Sequence, residues 1–263
     1  LNSVGNELTR EYQWENLNKV YLITVLVSTI TGDTTLGSAN ITNASSIALL
    51  DTTYQIVGTG IPTATYINAA PSGTTIAMNK VATTTATGTT FTLTKVRYTM
   101  PSDFDRIIDE TQWDQSKHWK MVGPETAQQW EWLTNGYIST GPRVRFRIFG
   151  GYFQIWPAIG TTDVLGFEYV SRGWAISTLS VIKSSFTADT DTCIFPDRLM
   201  VLGLKLKYFE AKGFDTTAIY REYVKQKDIA FSNDAGSPML SFAPRINSAL
   251  VGWNQIPDSG YGS

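Results

Sequence analysis

Between Phe195 and Phe231 two helical periodicities follow one another, punctuated at every end. Leu199, Leu202, Leu206 and Phe209 recur every three or four residues, which puts them on one side of a helix about 25 Å long. Pro196 suits a first helical position, Asp197 complements the positive helix start, and Gly213 marks the stop. Asp215 or Thr216 then caps a second helix, in which Ile219, Tyr223, Gln226 and Ala230 keep the spacing. So short a link makes the two helices antiparallel neighbours. Each has an apolar face, and the rest of the chain must supply what that face packs on.

The other segments differ in character. Leu1 to Lys19 reads as a helix with Val4, Leu8, Tyr12 and Leu17 along one face. From Val20 the pattern becomes a β-branched run. Between Ser28 and Lys95 close to a third of the residues are Thr, charges almost vanish, and short alternating pieces are divided by Gly, Pro and Asn. Such a segment reads as a small all-β module inserted into a host domain. The host resumes with an extended Arg97 to Met100, a turn at Gly123-Pro124 and a short helix from Glu125 to about Leu133. Three strands follow, Arg143 to Phe149, Tyr152 to Trp156 and Val164 to Ser171, and they suggest a meander covered by the helical hairpin. The tail after Phe231 is rich in Ser, Asn, Gly and Pro but carries Met239, Leu240, Phe242, Ile246, Leu250 and Trp253. So few apolar side chains on so long a segment point to an arm that orders against partner chains.

Composition narrows the function. With 263 residues, 42% of them hydrophobic, the chain can bury a real core in one large domain or two small ones. A net charge of -2 argues against a sequence-independent nucleic-acid binder. The single cysteine, Cys193, excludes an intrachain disulfide and multi-cysteine metal sites. The apolar run Val20 to Val27 is too short to cross a bilayer, and no leader pattern is present, so a soluble protein or assembly component is expected. Leu1 is no initiator, so sequence is expected to precede it.

No set of residues makes a convincing active site. The only histidine, His118, lies between Lys117 and Trp119 and reads as a surface or interface residue; Cys193 reads as a small buried hydrophobe. Asp189 and Asp191 look like the start of a calcium loop but lack the downstream Gly and Glu. There is no phosphate-cradling Gly-rich loop and no dinucleotide fingerprint. Asp103, Asp105, Asp109, Glu110 and Asp114 form an acidic segment, the only basis for a peptidoglycan-cleaving alternative. Tyr54 and Tyr66 in the Thr-rich module are the basis for a carbohydrate-binding, adhesive one. The most informative polar pattern is Arg143, Arg145 and Arg147, which project from one face of a strand. They require acidic partners across a subunit interface, solvent, or a DNA backbone.

Several stretches, in order, resemble the adaptor (head-to-tail connector) proteins of short-tailed bacteriophages, of the tail tubular protein A type. They are YTMPSDFDRIIDETQWD, the Gly-Pro turn followed by Trp130, RFRIFGGYFQIWP, FEYVSRGW and FTADTDTCIFPDRLMVLGLKLKYFEAKGFD, covering most of Arg97 to Asp215. The Thr-rich module departs from the simplest members of that family. The resemblance implies an α+β fold: a helical bundle with an antiparallel β-sheet region (residues 1–27 and 96–231), plus the inserted module (28–95) and an extended C-terminal arm (232–263). It implies a virion structural protein and not an enzyme, with no cofactor and no metal. It implies that about a dozen copies form a ring in the neck, assembled in the host cytoplasm. The resemblance further implies that this ring binds the portal, meets the tail nozzle and extends a channel through which DNA passes without sequence-specific contact, with Met239, Leu240, Phe242, Ile246, Leu250 and Trp253 of the arm meeting the portal or a neighbouring subunit. Arg143, Arg145 and Arg147 then face a neighbouring subunit or the channel.

Overall fold

The computed structural model describes residues 1–135 and 143–234. The chain divides into two compact units, and it passes between them several times.

Among the described residues the first unit comprises Leu1–Tyr21, Pro101–Asp109 and residues 168–234. Helix α1 (Asn2–Glu11) stops where Tyr12 turns extended, and a single 3-10 turn, Glu15–Leu17, leads into the strand Asn18–Thr24. The apolar residues expected along one long helix are therefore split: Val4 and Leu8 are buried from α1, Trp14 and Leu17 from the turn beyond it. Trp14 makes that turn by donating its indole N–H to the Leu8 carbonyl at 2.9 Å. The expected hairpin is present. Of its two helices, α3 (Asp197–Lys212) ends at Gly213 in the left-handed conformation, a position glycine adopts without strain, and α4 (Thr217–Asp234) starts after Asp215, which accepts the Thr217 N–H at 3.0 Å. Leu199, Leu202 and Leu206 of α3 and Tyr223 and Ala230 of α4 bury against Val4, Leu8, Trp174 and Phe195. At the crossing, a Cβ on Gly203 would meet Val4 at 2.5 Å, so helix α1 approaches α3 as closely as the backbone allows. Lys207 pairs with Glu7, Lys227 with Glu11 and Arg198 with Glu222, tying the three helices together on their wet sides.

Most of the second unit, Leu22–Met100 with Glu110–Phe167 among the described residues, is β-structure. The Thr-rich segment forms one six-stranded antiparallel sheet in which Ala86–Lys95 pairs on one side with Val27–Thr34 and on the other with Tyr54–Gly58. Ile30, Ile41, Ile56, Ile76, Phe91 and Leu93 fill its inside; most of its Thr residues are exposed or half-buried, while Thr34, Thr65 and Thr94 are buried. Its terminal strands, Thr65–Tyr66 and Ile76–Ala77, do not stay apart. Ile67 bridges Met78, Asn68 donates to the Ala77 carbonyl at 2.8 Å and Asn79 to the Tyr66 carbonyl at 3.0 Å, so the sheet curls round and its ends meet.

A three-stranded sheet lies beside it in the same unit: Arg145–Phe149, Tyr152–Trp156 and Arg97–Thr99 in that order. Helix α2 (Ala127–Asn135) packs Trp130 and Leu133 onto Trp156 and Ala64. On the other face Phe146, Phe153 and Phe167 stack at 4.9–5.2 Å.

These elements correct the expected fold. Among the described residues the protein is mostly antiparallel β-sheet with four short helices, about 25% helical, and is not a helical bundle. The meander is absent as well. Tyr152–Trp156 has Arg97–Thr99 as its second neighbour, while Val164–Ser171 joins a different sheet, paired with Trp113–Asp114 along its first half and with Phe104–Ile107 along its second. The helical hairpin packs on α1 and Trp174, with Val170 of Val164–Ser171 in the same core. The physical reason is that many strands are only two or three residues long, too short to alternate visibly, and that Val164–Ser171 is buried on both faces and so does not alternate at all.

Candidate interaction surface

Helix α3 is apolar on two opposite sides. One is the core stripe; the other carries Val201, Leu204 and Tyr208, spaced three and four apart, which are 48%, 42% and 53% exposed. Residues at that spacing share one face, and here it is the face pointing away from Leu199, Leu202 and Leu206. Phe214 just beyond the helix and Tyr220 on α4 are exposed too. A helix with apolar residues on both sides is built to be covered on both. Among the candidate surfaces, this is the one whose composition asks for a protein partner.

The Arg strand is held differently along its length. Arg143 precedes the strand, which begins at Arg145. Arg145 and Arg147 share a face. The Arg145 guanidinium donates to the buried Glu125 carboxylate at 2.6 Å within the same chain, and Glu125 is itself fixed by its backbone N–H on the Phe146 carbonyl at 2.9 Å. The Arg147 guanidinium lies over the exposed Phe149 ring, 4.4 Å from its centre. The residues assigned to the arm, Met239, Leu240, Phe242, Ile246, Leu250 and Trp253, lie outside the described residues.

Two carboxylates of the acidic segment, Asp103 and Asp114, are engaged in structure. Asp103 accepts from the Lys19 ammonium at 2.6 Å, the Ser171 hydroxyl at 2.7 Å and the Tyr169 hydroxyl at 2.9 Å. Burial pushes its carboxyl up, but these hydrogen bonds outweigh it and hold the group below the usual carboxylate range. The Tyr169 phenol is raised by its own burial and by that carboxylate. Asp114 is buried and shifted up by desolvation; its Oδ1 caps the Ser116 and Lys117 N–H groups, closing the tight turn on which His118 stands exposed. Asp191, in the calcium-like loop, accepts the Thr187 and Ala188 N–H groups and the Lys183 ammonium, and is pulled down to about 2 chiefly by the Thr187 bond. Among the described residues no cluster of His, Cys, Asp or Glu is placed to hold a metal. Cys193 is half-buried with its thiol on the Phe195 carbonyl, and burial raises its pKa. Tyr54 is buried in the curled sheet, unavailable to a glycan; Tyr66 is partly covered.

A family model described as SU10 adaptor protein matches residues 39–237, more than half of the chain. The chain belongs to the SU10 adaptor protein family. This is a phage head-tail adaptor family, in accord with the resemblance drawn from the sequence. No curated protein and no solved structure matches the chain. The match opens inside the Thr-rich segment, so most of the curled sheet falls within it, and it closes just past α4. In this adaptor no helix among the described residues is long and apolar enough to cross a membrane. The outward stripe of α3 was missed from the sequence although its signal is there. Val201, Leu204 and Tyr208 carry a helical spacing of their own, overshadowed by the stronger inward stripe that interleaves with it.

Proposed function

We propose that this adaptor is the subunit of a ring of about a dozen copies that joins the capsid portal to the tail nozzle and continues the DNA channel. Its work is structural, without catalysis or cofactor. The observation that supports the reading is the second apolar face of α3, Val201, Leu204 and Tyr208, which a monomer leaves in water and a neighbouring subunit covers. Arg147 on its edge strand faces a neighbour or the channel, and the segment with Met239, Leu240, Phe242, Ile246, Leu250 and Trp253 reaches the portal or the next subunit. Weak side-to-side contacts add up when a portal aligns many of them at once, so a free monomer that forms rings on the portal is the expected behaviour.

The test is electron microscopy and light scattering of the purified chain, alone and mixed with the portal of the same phage. Rings on the portal are expected, and Leu204→Glu with Tyr208→Glu abolishes them while the melting temperature stays within a few degrees of wild type. A chain that ignores the portal, or a doubly substituted chain that still forms rings, overturns the reading.

A further inference from the structure

We propose that the seam where the curled sheet closes carries a binding site for a carboxylate. A cavity of about 220 Å3 opens there between the seam, α2 and the three-stranded sheet, all within the second unit. Tyr66 and Asn79 come from the closing strands, Lys80 follows them, Arg97 and Gln154 are cross-strand partners on the neighbouring sheet, and Glu131 comes from α2.

The polar groups lining this cavity are not matched to one another. Gln154 is only 8% exposed, and among the described residues its side-chain amide makes no hydrogen bond; it borders the cavity, where its NH2 and carbonyl are left for a ligand. The Arg97 guanidinium likewise has no hydrogen-bond or ion-pair partner among those residues; it is held in place by lying over the Tyr66 ring, 5.2 Å from its centre. Asn79 uses its carbonyl to accept the Tyr66 N–H at 2.7 Å, which leaves its NH2 for a ligand. The Lys80 ammonium is anchored on the Thr63 carbonyl at 2.7 Å and keeps charge toward the cavity. Against these stand the Asn135 side-chain carbonyl, which the Lys80 ammonium reaches at 3.5 Å, and one carboxylate. Glu131 is exposed, and one of its oxygens already accepts from Asn135 at 2.9 Å. Two cations, Arg97 and Lys80, face one carboxylate, Glu131, and the NH2 groups of Gln154 and Asn79 add further donors, so the complementary ligand is an acceptor with negative charge. The planar fork of Arg97 suits a carboxylate, and the cavity holds a group of side-chain size. Two sources present that chemistry, a free small carboxylate and an acidic side chain of a partner chain.

Calorimetric titration of the full chain with glutarate, and separately with the blocked peptide acetyl-Gly-Glu-Gly-amide, tests the site; glutaramide serves as the uncharged control. Saturable binding of one or both carboxylates is expected, with no binding of glutaramide. Glutarate alone points to a free ligand, and a tighter peptide points to a partner's side chain. Arg97→Gln weakens binding by at least about tenfold. Gln154→Glu, nearly isosteric, places the protein's own carboxylate in the site and abolishes binding, so it decides the matter if the Arg97 variant does not fold. The proposal fails if neither carboxylate saturates, if glutaramide binds equally well, or if both folded variants bind as wild type does.

Discussion

Asp103 is the residue where burial and hydrogen bonding compete most openly. Three donors converge on one carboxylate, and its folded pKa lies below the usual value. A group of that kind contributes stability that is fully present above its unfolded pKa, near 3.9, and is lost as pH falls through the lower folded value. Asp103→Asn should therefore cost about 1.5–3 kcal/mol near pH 7. The gap to wild type should narrow below about pH 4, once the wild-type carboxylate also protonates. Urea titrations at several pH values check this, and a pH-independent gap would place the cost in lost shape, not in charge. The partners Lys19 and Ser171 are 84 and 68 residues away from Asp103 in the chain, which is why the sequence showed only a crowded acidic segment.

Among the elements, Ala86–Lys95 carries the most weight in the second unit, because it is the inner strand with Val27–Thr34 on one side and Tyr54–Gly58 on the other. Phe91 from its middle is fully buried, and the space beside it is so tight that a Cβ on Gly58 would meet its ring at 2.5 Å. Phe91→Ala is expected to cost about 3–5 kcal/mol. Loss of the β-rich circular dichroism signal at a lower urea concentration is the readout. Elements of this length were legible in the sequence. So were the hairpin helices, whose caps at Asp215 and Gly213 stand where residue chemistry put them, and the Arg97 and Tyr152 strands. Pairing was not legible. Nothing local in Val164–Ser171 says that it leaves Tyr152–Trp156 for Trp113–Asp114, since a strand buried on both faces carries no alternation to fix its side. The seam cavity was hidden for the same reason: Arg97 and Gln154 meet Lys80 only through long-range closure.

At the scale of the whole molecule, a net charge of -2 limits what the adaptor does with DNA. Retention of a duplex at physiological salt takes several phosphate contacts from a concentrated basic surface, and here Arg145 is already paired with Glu125. Fluorescence anisotropy with a labelled duplex at about 150 mM salt is expected to show no saturable binding; a tight, salt-steep isotherm would show that Arg147 and its neighbours grip the phosphates. The curled sheet bears on a different hazard. A Thr-rich, weakly charged β-segment is the sort of sequence that zips to its own kind. Here the last strand answers the first through Ile67 and Met78. A ribbon whose ends are joined to each other offers no loose end there for a second copy to extend.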